Sequence, residues 1–273
     1  MGRRVFLLET TKGTVLREVA VGEKDKLLTV LTHDLGVITV SAKGIRSVKN
    51  PNISSAQLFC YSNFVLYKKG DFYWLRESDL IENFYGLRSD IEKYALAAYI
   101  CSIAEDFACV DEDIPIVERL VLNTLYAISN ELADRKLIKA AFEMRVASVF
   151  GFMPDLFECS SCMGELNSKT VFDVMNGGVI CEKCRQRFAA DVYLIRDDSP
   201  DSYESLEPVI RFDITPDVLS ALKYVVTAKG ERLFSFKLEK ESLEIFSEVC
   251  EKYLLHHLGR GFSTLDFYKS MTE

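Results

Sequence analysis

Two Cys-x-x-Cys pairs, Cys159 with Cys162 and Cys181 with Cys184, stand 18 residues apart in CSSCMGELNSKTVFDVMNGGVICEKC. A gap of two residues lets both sulfurs of a pair turn toward one ion. The spacer is long enough for a small hairpin, whose tight turn Asn176, Gly177 and Gly178 can supply. This is the pattern of a tetrahedral thiolate site for one structural Zn2+. Four thiolates fill the coordination shell, which leaves no open position for catalysis. His33, His256 and His257 are all distant in sequence from the four cysteines. A redox disulfide would call for a single pair beside a βαβ pattern, which is missing. Many zinc knuckles place Gly directly after the second Cys; here Met163 stands there and Gly164 follows, which predicts a slightly distorted first knuckle.

A second set of candidates is electrostatic. The chain has a net charge of −8, yet residues 1–80 carry 12 Lys+Arg against 8 Asp+Glu, a local +4, leaving 21 against 33, or −12, for residues 81–273. From Leu35 to Gly70 there is no acid, while Lys43, Arg46, Lys49, Lys68 and Lys69 are interleaved with Phe59, Tyr61, Phe64 and Tyr67. Cations for phosphates and flat faces for bases suit a single nucleic acid strand. Lys43, Arg46, Lys49, Lys68 and Lys69 are the expected phosphate contacts, with Phe64 or Tyr67 as stacking faces. The bland alternative is that the aromatics fill a core and the lysines are merely solvated.

The elements that must position these groups change period along the chain. Residues 14–21, 27–32, 37–42, 57–67 and 72–76 alternate in the strand manner between Gly-containing turns, and five short strands in one small unit predict an OB-like barrel over residues 1–82. From Leu87 the apolar period becomes helical. Helices are expected over 88–109, with Ser89 and Glu92 at capping-box spacing, from Pro115 onward, and over 134–150. Further helices are expected over 216–229 and 241–258, after an acidic link at 197–207. The fold expected is α+β and multidomain. The barrel is followed by an all-helical domain in two parts, 83–156 and 188–273, with the four-cysteine zinc module inserted as 157–187. Cys60, Cys101, Cys109 and Cys250 read as buried, inert thiols. The apolar runs are far too short for a membrane span, and Glu9 and Lys12 interrupt any leader-like stretch, so a cytoplasmic protein is expected.

Several motifs taken together resemble the bacterial RecO family of recombination mediators: AKGIR at 42–46, FEMRVASVFGFMPDLFECSSC ending at Cys162, the second pair after NGGVI, and the tail HHLGRGFSTLDF. The resemblance spans almost the whole chain, with Lys43 and Arg46 on a basic turn of the family barrel. Where the family has a basic helical patch, this chain has Ala140 and Ala141. The resemblance implies a non-enzymatic, nucleoid-associated protein that binds single- and double-stranded DNA and anneals complementary strands coated with single-stranded DNA-binding protein (SSB). It also implies work with RecR to load RecA, so that RecA is an indirect partner. The acidic, apolar-ended SSB tail would need a groove with cations, and Arg135, Lys136, Lys139 and Arg145, at helical spacings, are the candidates. No Walker loop is present, so no nucleotide-driven chemistry is expected. Two other classes compete: a zinc-ribbon adaptor that binds proteins without intrinsic DNA binding, and a nucleotide enzyme with a four-cysteine lid.

Overall fold

In a computed structural model the described residues are 7–107, 114–166, 169–187 and 210–272. The acidic link expected at 197–207 lies outside them. The chain divides into two compact units, residues 1–135 with 262–273, and residues 136–261. The expected domain limits follow changes of element type, whereas these units follow packing.

The first unit is built on five strands, β1 (Leu7–Val21), β2 (Asp25–Thr32), β3 (Gly36–Ala42), β4 (Tyr61–Lys69) and β5 (Phe72–Glu82), closed as a barrel in the order β1-β2-β3-β5-β4. Closure depends on the length of β1. Its first half pairs with β4, its second half pairs with β2, and a bulge between Val15 and Arg17 bends it from one partner to the other. At the changeover sits Gly13, where a Cβ would lie 2.7 Å from the carbonyl oxygen of Leu31. The ring is completed by a short parallel contact of β3 with β5, Val40 beside Tyr73 and Ser41 beside Trp74. Inward residues of alternating strands, among them Val15, Leu28, Val30, Val40, Phe64 and Leu66, form the barrel core.

Two expected strand limits are corrected. Residues 57–60 are a turn, in which buried Phe59 takes a left-handed φ of 68°, so β4 starts only at Tyr61. Strand β5 runs six residues beyond Arg76, to Glu82. Among the described residues this unit has the α-helices α1 (Ile91–Phe107), α2 (Ile114–Ser129) and, as numbered in chain order below, α6 (Ser263–Thr272). The cap of α1 is Asp90, not Ser89: its Oδ1 accepts from the N–H groups of Glu92 and Lys93 at 2.8 and 3.2 Å. The C-terminal helix α6 was not expected. It is tied to α1 by the Ser102–Thr264 hydroxyl pair at 2.7 Å and by the Tyr99 and Phe262 rings.

The second unit contains α3 (Arg135–Val149), strands β6 (Asp155–Cys159), β7 (Thr170–Asp173), β8 (Gly178–Cys181) and β9 (Arg211–Ile214), then α4 (Pro216–Thr227) and α5 (Lys240–Leu258). The sheet order is β6-β8-β7-β9. Strand β9 comes from beyond the expected 157–187 module, so that module is not closed on itself. It is fixed to β7 by Arg211, whose Nε donates to buried Asp173 at 3.0 Å. The expected Asn176-Gly177-Gly178 turn is present. Gly177 has a φ of 61°, and a Cβ there would come within 2.7 Å of the Tyr253 hydroxyl. Tyr253, on α5, packs edge-on against Phe172 and donates to the carbonyl of Phe152 at 3.0 Å. A Gly177→Ala change therefore meets both a clash and an unfavourable backbone region, and is expected to destabilise this unit by about 1–2 kcal/mol in a urea melt. Among the described residues no helix is long and apolar enough to cross a membrane.

Candidate metal centre and nucleic-acid interface

The four predicted cysteines come together. Cys159 ends β6 and Cys181 ends β8; the turn after β6 supplies Cys162 and the short helical segment 182–187 after β8 supplies Cys184, and all four sulfurs lie within 4.8 Å of one another. The parallel pairing of β6 with β8, Cys159 beside Val179, brings the two pairs to one end of the sheet. Cys159, Cys181 and Cys184 are buried with Val171 and Ile180, and Cys162 is exposed. Burial opposes ionisation of Cys159, but the N–H groups of Cys181, Ser161 and Cys162 point at its sulfur and bring its pKa down to about 6. The N–H of Cys181 donates to that sulfur at 3.3 Å. The knuckle favours one thiolate: although the Gly164 N–H favours ionisation of Cys162, its contacts with the Cys184 and Cys159 sulfurs push that thiol up to about 11. Met163 takes the left-handed φ of 57° that a Gly would take freely, while the turn keeps its hydrogen bonds, Met163 N–H to the Cys159 carbonyl at 2.8 Å and Cys159 N–H to the Gly164 carbonyl at 3.0 Å. The expected distortion is thus confined to one strained residue.

The predicted DNA cations are divided by the fold into two groups. Lys43, Arg46 and Lys49 are exposed on the segment after β3. That segment is fastened to the β1–β2 turn: Gly44 N–H donates to Asp25 Oδ1 at 2.7 Å and Arg46 N–H to the Lys24 carbonyl at 3.0 Å, with Ile45 buried between the cations. The Arg46 guanidinium reaches only the carbonyl of Gly22, at 3.3 Å, and none of the three cations pairs with a described carboxylate. Lys68 and Lys69 stand at the β4–β5 turn. Lys68 pairs with Glu9 at 3.5 Å and lies over the Tyr73 ring, whereas Lys69 is exposed.

Phe64 is a correction. It is fully buried in the barrel core, on the same side of β4 as Ser62 and Leu66, so it has no face to offer a base. The outward aromatics are Tyr67, Trp74 and Phe72. Tyr67 pairs across to Trp74 and Trp74 to Ser41, which sets them in one row over β4, β5 and β3. Phe72 is 70% exposed and lies 6.2 Å from Trp74, and the Arg76 guanidinium sits 5.6 Å over the Tyr67 ring. Sequence reasoning missed Phe72, Trp74 and Arg76. The signal was present in the alternation Phe72, Tyr73, Trp74, Leu75, Arg76, of which one parity had to face outward.

The four predicted partner cations of α3 do not present a cationic face. Arg135 is held by Asp90 at 2.6 Å and by Glu92; Lys136 pairs with Glu244 at 2.6 Å. Lys139 is buried between Glu143 and Glu251, at 3.1 and 2.7 Å. Arg145 is half-buried and donates to the carbonyl of Val226. Arg135, Lys139 and Arg145 are held within the fold, whereas the Lys136–Glu244 pair lies at the surface. Near the cysteines, Arg185 is engaged by Asp213 at 3.1 Å and Lys169 by Glu182 at 3.1 Å, which reduces the cationic surface there.

Residues 7–84 match the family described as Recombination protein O N terminal, and residues 88–196 match Recombination protein O C terminal. A curated DNA repair protein RecO of Acetivibrio thermocellus is 30% identical over 261 residues, covering 96% of each chain. Others named in the same way are 31% identical in Dehalococcoides mccartyi, over 85% of this chain and 91% of that one, and 27% identical in Alkaliphilus metalliredigens, over 97% and 100%.

Proposed function

The chain belongs to the RecO family of DNA repair proteins, and on that premise we propose that it is a DNA-binding recombination mediator. In this reading it anneals complementary single strands and, with RecR, helps to load RecA onto SSB-coated DNA. The observation that carries the DNA-binding part is the loop of Lys43, Arg46 and Lys49, three exposed cations that pair with no described carboxylate, on a barrel whose outer face also bears Trp74, Tyr67 and Phe72. A single strand tracks such a surface with its phosphates on the cations and its bases against the rings. Arg76, stacked on Tyr67, adds a cation beside that face. Each α3 cation already has a partner within the chain, Lys136 through a surface pair with Glu244.

The four cysteines support a structural zinc. Four sulfurs at about 2.3 Å from a tetrahedral ion are about 3.8 Å from one another, and the Cys162 and Cys181 sulfurs are 3.8 Å apart. With all four positions taken, the ion joins two turns of a small sheet and performs no reaction.

Salt titration of binding to a labelled single strand tests the proposal. If Lys43, Arg46, Lys49 and Lys69 each meet one phosphate, log affinity against log salt should fall with a slope of about −2.8 on single strands. A zinc-ribbon adaptor would show no steep salt dependence. Phe72→Ala and Trp74→Ala should each weaken single-strand binding by about 1–3 kcal/mol and leave the slope unchanged, because stacking releases no counterions. A change in slope without loss of affinity at low salt would remove the rings from the interface.

A further inference from the structure

Within the first unit, away from the cationic loop, β1, the end of β2 and α2 enclose a cleft of about 520 Å³, in the size range of a small-molecule site. Its wall carries Glu118, only 4% exposed. His33 Nδ1 donates to one oxygen of that carboxylate, Oε2, at 2.6 Å. The other, Oε1, is buried without a hydrogen-bond partner, as is Nδ2 of Asn123, which also lines the cleft. A buried carboxylate oxygen left unpaired is costly, and it marks a place where a donor is missing. Tyr61 lines the same wall, half-buried; burial, then the charge of Glu118 and the approach of the hydroxyl to that carboxylate, push its phenol above the usual range, so Tyr61 is a donor close to Glu118 besides His33, although its hydroxyl does not reach hydrogen-bond geometry with Oε1.

The rest of the lining has the opposite sign. Lys12, His33 and Arg119 are exposed around the cleft, with Asp34 as the single acid among them; Asp34 accepts from Thr11 Oγ1 at 3.4 Å. Lys12 and His33 are held side by side by the bond from His33 N–H to the Lys12 carbonyl at 2.9 Å. A plain anion would satisfy the exposed cations but meet a buried carboxylate farther in. A plain cation would be repelled before reaching it. A ligand that suits both is bipolar, anionic at its outer end and carrying N–H donors at its inner end. The imidazole of His33 and the phenol of Tyr61 add flat surfaces for a planar group.

We propose that this cleft binds a nucleoside monophosphate, with the phosphate on Lys12 and Arg119 and the exocyclic amino group of the base donating to the Glu118 carboxylate. Adenine, cytosine and guanine carry such an amino group, guanine with the N1–H donor beside it. Thymine presents its single N–H between two carbonyl oxygens that the carboxylate repels. The site is separate from the Lys43, Arg46 and Lys49 loop and does not depend on it.

Calorimetric titration of the full chain with dAMP, dCMP and dTMP tests the proposal. The expected result is binding of dAMP and dCMP about tenfold tighter than dTMP, and weakening of deoxyadenosine, which lacks the phosphate, by about tenfold. Glu118→Gln should weaken dAMP about tenfold. Because Glu118 is buried, the exposed Arg119→Ala serves as the second variant; it should weaken dAMP about fivefold with an unchanged melting temperature. Lys43→Ala with Arg46→Ala should leave dAMP binding as it is, so that failure of this site and failure of the loop are distinguishable. Competition of dAMP by a 5′-phosphorylated oligonucleotide ending in adenine, but not by its 5′-hydroxyl form, would support the site and identify the ligand as a strand end; no competition by either, with dAMP bound, would support a free nucleotide. Absence of dAMP binding at millimolar concentration, equal affinity for dTMP, or indifference to both Glu118→Gln and Arg119→Ala would overturn the proposal.

Discussion

Stripping the metal from the four cysteines is expected to unfold the sheet of β6 to β9 and to lower the melting temperature of the chain markedly. The expected magnitude follows from comparing two free energies. A four-thiolate zinc site contributes about 10–16 kcal/mol in isolated finger peptides, while whole domains are stable by only about 5–15 kcal/mol. The sheet has little else to hold it at this end: the cluster of Cys159, Cys181 and Cys184 with Val171, Ile180 and half-buried Leu166 is small. Without the ion, buried thiols would either stay neutral and lose the N–H bonds that favour the Cys159 thiolate, or ionise with no countercharge. Metal analysis should return about one zinc per chain. After chelation, hydrogen exchange should lose protection over residues 155–181, and zinc should restore it. Cys181→Ser should reproduce the loss, because it removes one of the four sulfur ligands while keeping the backbone N–H on the Cys159 sulfur. Unchanged melting in protein shown to be metal-free would refute a structural ion.

Lys139→Ala is the second large effect, and it is expected in stability, not in partner binding. Lys139 is 3% exposed, Glu143 fully buried and Glu251 8% exposed, with the ammonium 2.7 Å from Glu251 and 3.1 Å from Glu143. Removing the cation leaves two carboxylates facing each other in a dry interior, which costs about 3–5 kcal/mol. Burial alone would lower the pKa of Lys139, but the two carboxylates outweigh it and the pKa is raised. A raised lysine pKa means that the pair's contribution is full below about pH 10.4 and fades as pH rises through the folded value. The variant should therefore melt with a lower urea midpoint at pH 7, and the gap to the parent should narrow in strong alkali. Replacing Lys139 together with both glutamates by apolar residues of similar volume should recover most of the loss. A Lys139→Ala protein with unchanged stability would mean that the triad is not buried in solution.

The parts of this molecule legible in the sequence are those whose chemistry is local. Four cysteines at fixed spacing specify a thiolate cluster whatever surrounds them, and the structure brings the four together. The barrel strands were legible from alternation, but alternation shows two faces without saying which is inside. Hence alternation alone offers Phe64 as a stacking face, although β4 buries Ser62, Phe64 and Leu66 together, and it does not single out Phe72 and Trp74 on the outward parity of β5. Strand β9 is only four residues long, too short for its alternation to stand out, and its pairing with β7, where Arg211 reaches Asp173, joins residues 38 apart. Lys139 looked like a surface cation because its helix carries charges at regular spacing; Glu251, which buries it, comes 112 residues later. Glu118 gave no signal at all, since nothing in the α2 sequence distinguishes a buried carboxylate from a solvated one.

The central claim is that the barrel loop, and not the cysteine module, meets the phosphates of a single strand. It is tested most directly by salt titrations on two variants in parallel. At physiological salt the Debye length is about 8 Å, so local cations decide the encounter despite the chain's net charge of −8. Lys43→Ala with Arg46→Ala and Lys49→Ala removes three phosphate contacts and should flatten the slope of log affinity against log salt by about 2.1, for every sequence alike. Neutralising Lys183, Arg185 and Arg187 beside the cysteines should leave the slope as it was. An unchanged slope in the first variant and a flattened one in the second would contradict the account and place the strand on the cysteine module.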